Sequence, residues 1–329
     1  FVRHNLSRHS SANNHLIGEL TGLFLACLVF DLGSDGQRWA SAARVELERE
    51  AVAQVHPDGV NKEQSSYYHL WVLEYLLVAW LAGSRAGFEF SQGFGDRIVA
   101  MARFLWDLRP DGGVPPQIGD ADDGAVMCFD ATTEGDPYAD VLAAADAISG
   151  RREGHNWLVG VPQKAFWYGL IRSGSTESLK TEQVGKTEAL CYPHVYRDGG
   201  YAVLRGGNTH LVFDAGPLGY LSIAAHGHAD ALSICAAIDG VWWLVDPGTY
   251  SYHDDPRWRN YFRGTAAHNT LLVDNRDQSL IAGPFLWHRH AHARLESSGT
   301  DTDGYQVVRG THDGYQSLGV RHIREVRLT

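Results

Sequence analysis

The sequence predicts an α+β protein with two domains: an array of helical hairpins followed by an antiparallel β-sandwich. Two observations lead to this prediction. Up to about residue 185, apolar side chains recur at helical spacing between loops rich in Pro, Gly and Asp. Beyond that point, short β-branched and aromatic runs alternate with glycine. We therefore expect a helical domain over residues 1–185 and a β domain over residues 186–329.

The helical part begins with a clear amphipathic pattern. Leu16, Leu20, Leu23 and Cys27 share one helical face after a cluster of capping residues, which predicts a helix ending near Phe30. A turn is expected at residues 35–36. The further predicted helices span residues 39–55, 70–82, 95–108, 138–148 and 163–171. Helices joined by such loops suggest an array of hairpins that closes into an arc or a barrel.

The β part is predicted from short apolar runs. These runs span residues 200–207, 210–214, 232–238, 241–245, 270–273, 305–309 and 320–328. We expect them to form a sandwich whose last strands are missing from this chain. The chain begins at Phe1 rather than at a methionine and stops at Thr329, so we expect it to be a fragment of a longer protein, truncated at both ends.

Composition narrows the classes of function. The net charge of -11 and the absence of a basic run argue against a nucleic-acid-binding protein. An acidic ligand would have to be held by a local cluster of donors, because the molecule as a whole repels polyanions. The sequence contains no run of about 18 uncharged apolar residues, so we predict no membrane span.

One segment concentrates groups that could bind a metal. His226 and His228 lie two residues apart on what we expect to be an extended segment, so their side chains would point the same way. Asp246 follows an apolar run, and His268 lies further along the chain. Imidazoles and a carboxylate suit Zn²⁺, and His226 would then remain free for proton transfer. The alternative is that the histidines belong to the core and that Asp246 only opens an Asp-Pro-Gly turn.

Two motifs in the helical part carry polar groups with an alternative structural explanation. Asn14, His15 and Glu19 could neutralise a substrate carboxylate, with His15 and Glu19 on one helical face. Capping of the helix by Asn13 would explain the same pattern. The pair Tyr67 and Tyr68 could supply a general acid or base, although aromatic residues at a helix start are more often part of the core.

Two loops are also rich in polar groups. Residues 253–263 combine arginines with aromatic side chains, as a loop that binds sugars and carboxylates would, although a structural loop would look similar. The acidic loop around Asp120, Asp122 and Asp123 lacks the remaining ligands of a calcium loop, so we expect a solvated loop there.

Five of these segments together resemble one family. They are NNHLIGE at 13–19, EQSSYYH at 63–69, HGHADALS at 226–233, DPGTY at 246–250 and WRNYFRGTAAHNT at 258–270. In this order they resemble the heparinase II/III-like polysaccharide lyases, which are related to oligoalginate lyases. The resemblance implies an incomplete (α/α) toroid followed by an antiparallel β-sandwich. It also implies β-elimination on a uronic-acid-containing polysaccharide, which leaves an unsaturated sugar.

The resemblance also assigns roles to residues. Asn14, with His15, is similar to the group that neutralises the carboxylate, while Tyr68 and His226 are similar to the proton-transfer pair. His228, Asp246 and His268 match the ligands of a structural zinc ion. The residues that we expect to contact substrate are Glu19, Tyr67, Tyr252, Tyr261 and Arg263.

The functional prediction is therefore a zinc-containing lyase for an acidic glycan. It carries the further expectations of a periplasmic or secreted location in a bacterium and of a homodimer. The alternatives are a non-catalytic protein for glycan binding or exopolysaccharide assembly on the same scaffold, and a zinc hydrolase with an open coordination position.

Overall fold

The computed structural model describes residues 1–111, 113–128, 136–149, 164, 167–168 and 192–329. Helices dominate the first part of the described chain and antiparallel strands the second, which confirms the predicted α+β class. The α-helices in the described part are α1 (Asn14–Val29), α2 (Gly33–Gln54), α3 (Ser66–Arg85), α4 (Gln92–Asp107), α5 (Pro137–Ser149) and α6 (Pro256–Arg263). None of these helices is both long and apolar enough to cross a membrane.

The chain divides into two compact units whose segments alternate along the sequence. The first unit takes its described residues from 1–53, 70–106 and 124–190, and the second takes them from 54–69, 107–123 and 191–329. Two segments from the helical half thus belong to the unit that contains the strands, an exchange that the sequence did not indicate. The predicted boundary at 185/186 lies outside the described residues and stays a prediction, as does most of the predicted helix at 163–171.

The core of the first unit forms around the apolar face of α1. Leu16, Ile17, Leu20 and Phe24 are each at most 1% exposed. The ring of Phe24 makes an edge contact with Phe88, at 5.5 Å between centroids, in the segment that follows α3. The spacing of these residues is the helical pattern that predicted α1.

The turn predicted at residues 35–36 is wrong. Asp35 and Gly36 lie in the first turn of α2, where a carboxylate is favoured by the positive end of the helix dipole. Asp35 also pairs with Arg38 three residues later on the same helix.

The described residues of the second unit form three antiparallel sheets. The strands are β1 (His194–Tyr196), β2 (Tyr201–Gly206), β3 (Thr209–Asp214), β4 (Ile234–Ile238), β5 (Val241–Leu244), β6 (Leu280–Gly283), β7 (Leu286–Arg289), β8 (Ala293–Thr300), β9 (Gln306–His312) and β10 (His322–Leu328). Strands β1 to β5 form one sheet in sequence order, β10-β9-β8 form a second, and β6-β7 form a hairpin. Phe213 of β3 and Val308 of β9, both fully buried, belong to one apolar cluster shared by the two larger sheets.

The strand predicted at residues 270–273 is also wrong. Its residues favour a strand by composition, but side chains hold this segment to neighbouring loops. Asn269 donates to the carbonyl oxygen of Val245 at 2.7 Å, and the hydroxyl of Thr270 donates to the carbonyl oxygen of Ala231, also at 2.7 Å. These tertiary contacts outweigh the local preference.

Candidate active site and metal centre

Tyr68 lies in the first turn of α3, where Ser65 fixes the backbone. The Ser65 hydroxyl oxygen accepts a hydrogen bond from the Tyr68 amide at 3.1 Å and donates one to the carbonyl oxygen of Asp120 at 2.6 Å. A serine that precedes a helix satisfies one of its free amides in this way. The contact therefore sets the direction in which the Tyr68 side chain leaves the helix.

The side chain of Tyr68 contacts two further candidate residues of the second unit. Its ring stacks on the His226 ring, with 3.8 Å between centroids and 21° between planes. Its hydroxyl lies 3.0 Å from the Tyr252 hydroxyl. Burial, with a smaller contribution from the negative charge of Asp120, raises the pKa of both tyrosines above the usual value. Both hydroxyl groups are therefore protonated at neutral pH.

His226 and His228 lie in an irregular loop, so the strand predicted for this segment is wrong. The Gly227 amide donates to the carbonyl oxygen of Ala224 at 3.2 Å, which turns the chain. Gly227 also passes so close to Leu218 that a Cβ would lie 1.5 Å from its carbonyl oxygen. The two histidines nevertheless point to one place, because both contact the same carboxylate.

That carboxylate is Asp120, and each of its oxygens has its own set of donors. Oδ1 accepts from His228 Nε2 at 2.9 Å and from the Thr249 hydroxyl at 3.1 Å. Oδ2 accepts from His226 Nδ1 at 3.2 Å. The guanidinium of Arg259 spans both oxygens, and its Nη2 lies 2.6 Å from Oδ2. Two-point pairing of this kind combines charge with fixed geometry.

The expectation that the Asp120 loop is solvated is wrong for Asp120 itself. Asp120 is 0% exposed and Arg259 is 2% exposed. Burial acts to raise the pKa of Asp120, but hydrogen bonds from the two histidines and from Arg259 lower it below the usual value. The residue before Asp120 is Gly119, whose φ of +69° and close approach to the Gln64 carbonyl oxygen leave no room for a Cβ.

The predicted metal ligands come together in the second unit. Single ligand atoms of His228, Asp246 and His268 lie within 4.8 Å of one another, and all three side chains are buried. The Asp246 oxygens have separate partners: Oδ1 accepts from the Gly248 amide at 3.0 Å, and Oδ2 accepts from His268 Nδ1 at 2.8 Å. The predicted Asp-Pro-Gly turn therefore coexists with a cluster of possible ligands.

The donor set of this cluster fits a divalent cation such as zinc. His228 Nδ1 and His268 Nε2 are buried, and neither has a hydrogen-bond partner among the described residues. The pKa of His268 is raised to about 9: burial opposes the charged ring, but the carboxylate of Asp246 and other buried carboxylates outweigh it. For the nearby carboxyl group of Asp214, burial has the opposite effect and raises the pKa to about 7. Two imidazoles and a carboxylate are a set of donors that Zn²⁺ takes in proteins.

The predicted carboxylate-neutralising motif lies in the first unit. Asn13 caps α1, since its side chain accepts a hydrogen bond from the His15 amide at 3.1 Å, and this confirms the capping interpretation. Asn14 is buried and His15 is exposed. The Glu19 carboxylate accepts bonds from the amide and hydroxyl of Ser7 at 2.6 and 2.7 Å. The roles of these residues toward substrate stay predictions.

The other predicted contact residues occupy different environments. Tyr67 is partly buried, whereas Tyr261 on α6 is 51% exposed. Arg263 is 0% exposed: its guanidinium lies 4.6 Å from the Trp287 ring centroid and donates to the carbonyl oxygen of Gly283 at 2.9 Å. Protein covers Arg263 in this structure, and substrate contact by any of the three stays a prediction.

Comparison with known families assigns the chain. The protein-family model described as "Heparinase II/III N-terminus" matches residues 2–136. A second family model, described as "Heparinase II/III-like, C-terminal", matches residues 192–329. The two models together match most of the sequence. The chain therefore belongs to the heparinase II/III-like family, which confirms the family suggested by the five motifs.

Individual relatives are similar at low identity. A heparin-sulfate lyase of Bacteroides stercoris is 24% identical over 284 residues, which are 83% of this chain and 37% of the relative. A heparin-sulfate lyase of Pedobacter heparinus is 24% identical over 287 residues, which are 83% of this chain and 38% of the relative. This chain thus spans less than half of the length of these curated relatives.

Solved structures are similar over nearly the whole chain. A heparinase III structure aligns with a TM-score of 0.68 and 20% identity, covering 99% of this chain and 44% of the other. The heparan sulfate lyase of Pedobacter heparinus aligns with a TM-score of 0.65 and 23% identity, covering 99% of this chain and 45% of the other. At this identity the likeness establishes the fold alone.

Proposed function

We propose that this chain carries the catalytic centre of a polysaccharide lyase that cleaves a uronic-acid-containing glycan by β-elimination. The observation that supports the proposal most directly is the stacked pair of Tyr68 and His226, held against the buried Asp120. Membership of the heparinase II/III-like family supports the reaction class. The heparin-sulfate lyases among the relatives favour a sulfated glycosaminoglycan as the first substrate to test.

The proposed reaction requires two proton transfers. His226 takes the proton from C5, and the electrons of the C–H bond form the double bond between C4 and C5. The bond from C4 to the linking oxygen then breaks, and that oxygen receives a proton from the Tyr68 hydroxyl. The raised pKa of Tyr68 suits this donor role, because burial keeps the hydroxyl protonated in the resting site. The proton is then available when negative charge develops on the leaving oxygen.

The C5 proton is acidic enough only when the adjacent carboxylate is neutralised. Asn14 and His15 are our proposed neutralising groups, and they would stabilise the enolate-like charge that develops as the proton leaves. Glu19, Tyr67, Tyr252, Tyr261 and Arg263 are the proposed substrate contacts. The proposed scaffold is an incomplete (α/α) toroid of hairpins over residues 1–185 and an antiparallel β-sandwich over residues 186–329.

The proposed cofactor is a structural zinc ion held by His228, Asp246 and His268. When bound, the ion supplies rigidity to the loop that carries His226, and it takes no part in the proton transfers. On the strength of the family resemblance we also propose a periplasmic or secreted location in a bacterium and a homodimer.

The test is ultraviolet absorbance of the unsaturated uronate during incubation with heparan sulfate, alginate, hyaluronan, chondroitin and a bacterial exopolysaccharide. We expect absorbance to rise with one of them and to vanish in Tyr68→Phe, whereas Tyr67→Phe, which alters only a proposed substrate contact, should reduce the rate without abolishing it. Equal loss in both variants would contradict the choice of Tyr68. Glycan binding without any turnover by the zinc-loaded full-length protein would favour the non-catalytic alternative, and new reducing ends without absorbance would indicate hydrolysis.

A further inference from the structure

Asp120 is a fully buried carboxylate whose contacts reach both the proposed proton-transfer residue and the proposed metal ligands. Its Oδ2 faces His226 Nδ1 at 3.2 Å, and its Oδ1 faces His228 Nε2 at 2.9 Å. The two histidines thus present different ring nitrogens to opposite oxygens of one group. This arrangement restricts where each ring can carry its proton.

An ionised carboxylate can only accept hydrogen bonds. Asp120 is held ionised by the two-point pairing with the buried Arg259, so each ring nitrogen that faces it must carry a proton. The neutral form of His226 then has its lone pair on Nε2, and the neutral form of His228 has its lone pair on Nδ1. A carboxylate behind an imidazole sets the tautomer of the ring in this way.

The two ring nitrogens that keep a lone pair are His228 Nδ1, for metal binding, and His226 Nε2, for proton transfer. His228 Nδ1 is buried and has no hydrogen-bond partner among the described residues, and His228 belongs to the cluster with Asp246 and His268. His226 Nε2 is the ring nitrogen that does not face Asp120, and it lies 3.6 Å from Glu63 Oε2, which is longer than a normal hydrogen bond.

We propose that Asp120 is a positioning residue that orients both histidines, with one oxygen fixing His228 Nδ1 as a metal ligand and the other leaving His226 Nε2 as the proton acceptor. Arg259 and Thr249 also donate hydrogen bonds to Asp120 and hold it in place. The part that concerns His226 rests on the proposed function, whereas the part that concerns His228 does not depend on turnover.

The first experiment measures tautomers in the metal-free wild-type protein. Two-bond nitrogen–proton NMR correlations of the imidazole rings, recorded at a pH where both are neutral, distinguish the two tautomers. We expect His226 protonated on Nδ1 and His228 protonated on Nε2. The same tautomer in both rings would overturn the proposal. This measurement needs no variant, so it decides the question even where a substitution prevents folding.

The second experiment measures zinc affinity with Zn²⁺ alone, titrated against a chromophoric chelator. Asp120→Asn is compared with Asp123→Asn, which alters an exposed carboxylate of the same loop. Loss of a carboxylate behind a ligand histidine typically costs about 10- to 100-fold in metal affinity. We expect a loss of that size for Asp120→Asn and none for Asp123→Asn. Equal zinc affinity in the two folded variants would overturn the proposal.

On a glycan that the wild type cleaves, Asp120→Asn should lower kcat by about 10- to 100-fold while KM changes little, because Asp120 orients the acceptor without touching substrate. A rise in KM with unchanged kcat would overturn the positioning role. If the wild type cleaves none of the glycans, the proposed function fails, while the NMR and zinc measurements still decide the role of Asp120.

Discussion

At the scale of single residues, Gly227 shows how little space the site leaves. We expect Gly227→Ala to destabilise the protein by about 1–3 kcal/mol, the usual cost of forcing extra volume into packed structure, because the new Cβ would lie 1.5 Å from the Leu218 carbonyl oxygen. Urea unfolding measures the change in free energy. The control is Gly283→Ala, where the described residue closest to a new Cβ would be Leu286 at 3.8 Å. Equal stabilities in the two variants would contradict this account.

His210 should make the stability of the second unit depend on pH. This histidine is not one of the proposed metal ligands. Its Nε2 lies 3.3 Å from the Leu108 carbonyl oxygen, and burial, with the nearby charge of Arg205, lowers the pKa of His210 from 6.5 to about 3. The unfolded chain therefore binds a proton at mildly acidic pH that the folded chain does not. Stability should fall as the pH drops below 6.5, by about 1.4 kcal/mol per pH unit.

Urea unfolding at neutral pH and at about pH 5 tests this dependence. His210→Gln should reduce the loss of stability between the two conditions by up to about 2 kcal/mol, since the substitution removes the buried proton acceptor. His288→Gln, at an exposed histidine, serves as the control. A pH dependence that stays the same in His210→Gln would show that other groups cause it.

The sequence could identify residues that combine reactive chemistry with a recognisable motif, such as His228, Asp246 and His268. The sequence could not identify Asp120, because Asp122 and Asp123 follow closely and an acidic segment of this kind predicts a solvent-exposed loop. The partner that neutralises it, Arg259, lies 139 positions away. A single sequence contains no sign of such pairing.

At the scale of elements, the start of α1 depends on one side chain. Asn13→Ala should destabilise the protein by about 1 kcal/mol, because the His15 amide would lose its acceptor. Asn13→Ser retains an oxygen that can accept the same bond and should stay within a few tenths of a kcal/mol of the wild type. Thermal or urea unfolding measures both. An equal loss in the two variants would mean that packing of Asn13, rather than capping, matters at this position.

Elements with strong periodic patterns were predicted well, and those decided by tertiary contacts were not. The buried face of α1 follows directly from the spacing of Leu16, Leu20 and their neighbours. The segment at 270–273 has strand-like composition, and the segment at 226–233 was expected to be extended from the spacing of its histidines. A turn at Gly227 and side-chain hydrogen bonds from Asn269 and Thr270 hold both as loops. Composition reports the preference of an isolated segment, whereas in the folded protein tertiary contacts decide the conformation of these two segments.

At the scale of the whole molecule, zinc bound by His228, Asp246 and His268 should contribute to stability. Zinc at about 1,000 times its dissociation constant would stabilise the folded state by about 4 kcal/mol. We expect a chelator to lower the Tm of the zinc-loaded protein and added Zn²⁺ to restore it. His268→Ala should abolish the response, whereas His288→Ala should retain it. A Tm that is insensitive to the chelator in wild type would contradict zinc binding at this cluster.

That helices precede strands along the chain could be predicted, but the assignment of two early segments to the second unit could not. Residues 54–69 and 107–123 belong to the second unit although helices surround them in the sequence. They carry Tyr68 and Asp120, so the proposed site depends on the segments that a division at residue 185 assigns elsewhere. Hydrophobic periodicity reports local structure, and it carries no information on which distant segments pack together.

The strand order has a consequence for how this chain folds. The five-stranded sheet pairs each strand with its neighbour in sequence, and its longest connection runs only from Asp214 to Ile234, so its contacts close loops much shorter than those of the Asp120 network. Asp120 meets His226 and Arg259 across 106 and 139 positions, and contacts between distant residues form slowly because long loops must close first. We therefore expect refolding to produce the sheet before the Asp120 network. During synthesis, a ribosome-bound chain would therefore lack the Asp120–Arg259 pair until α6 had emerged.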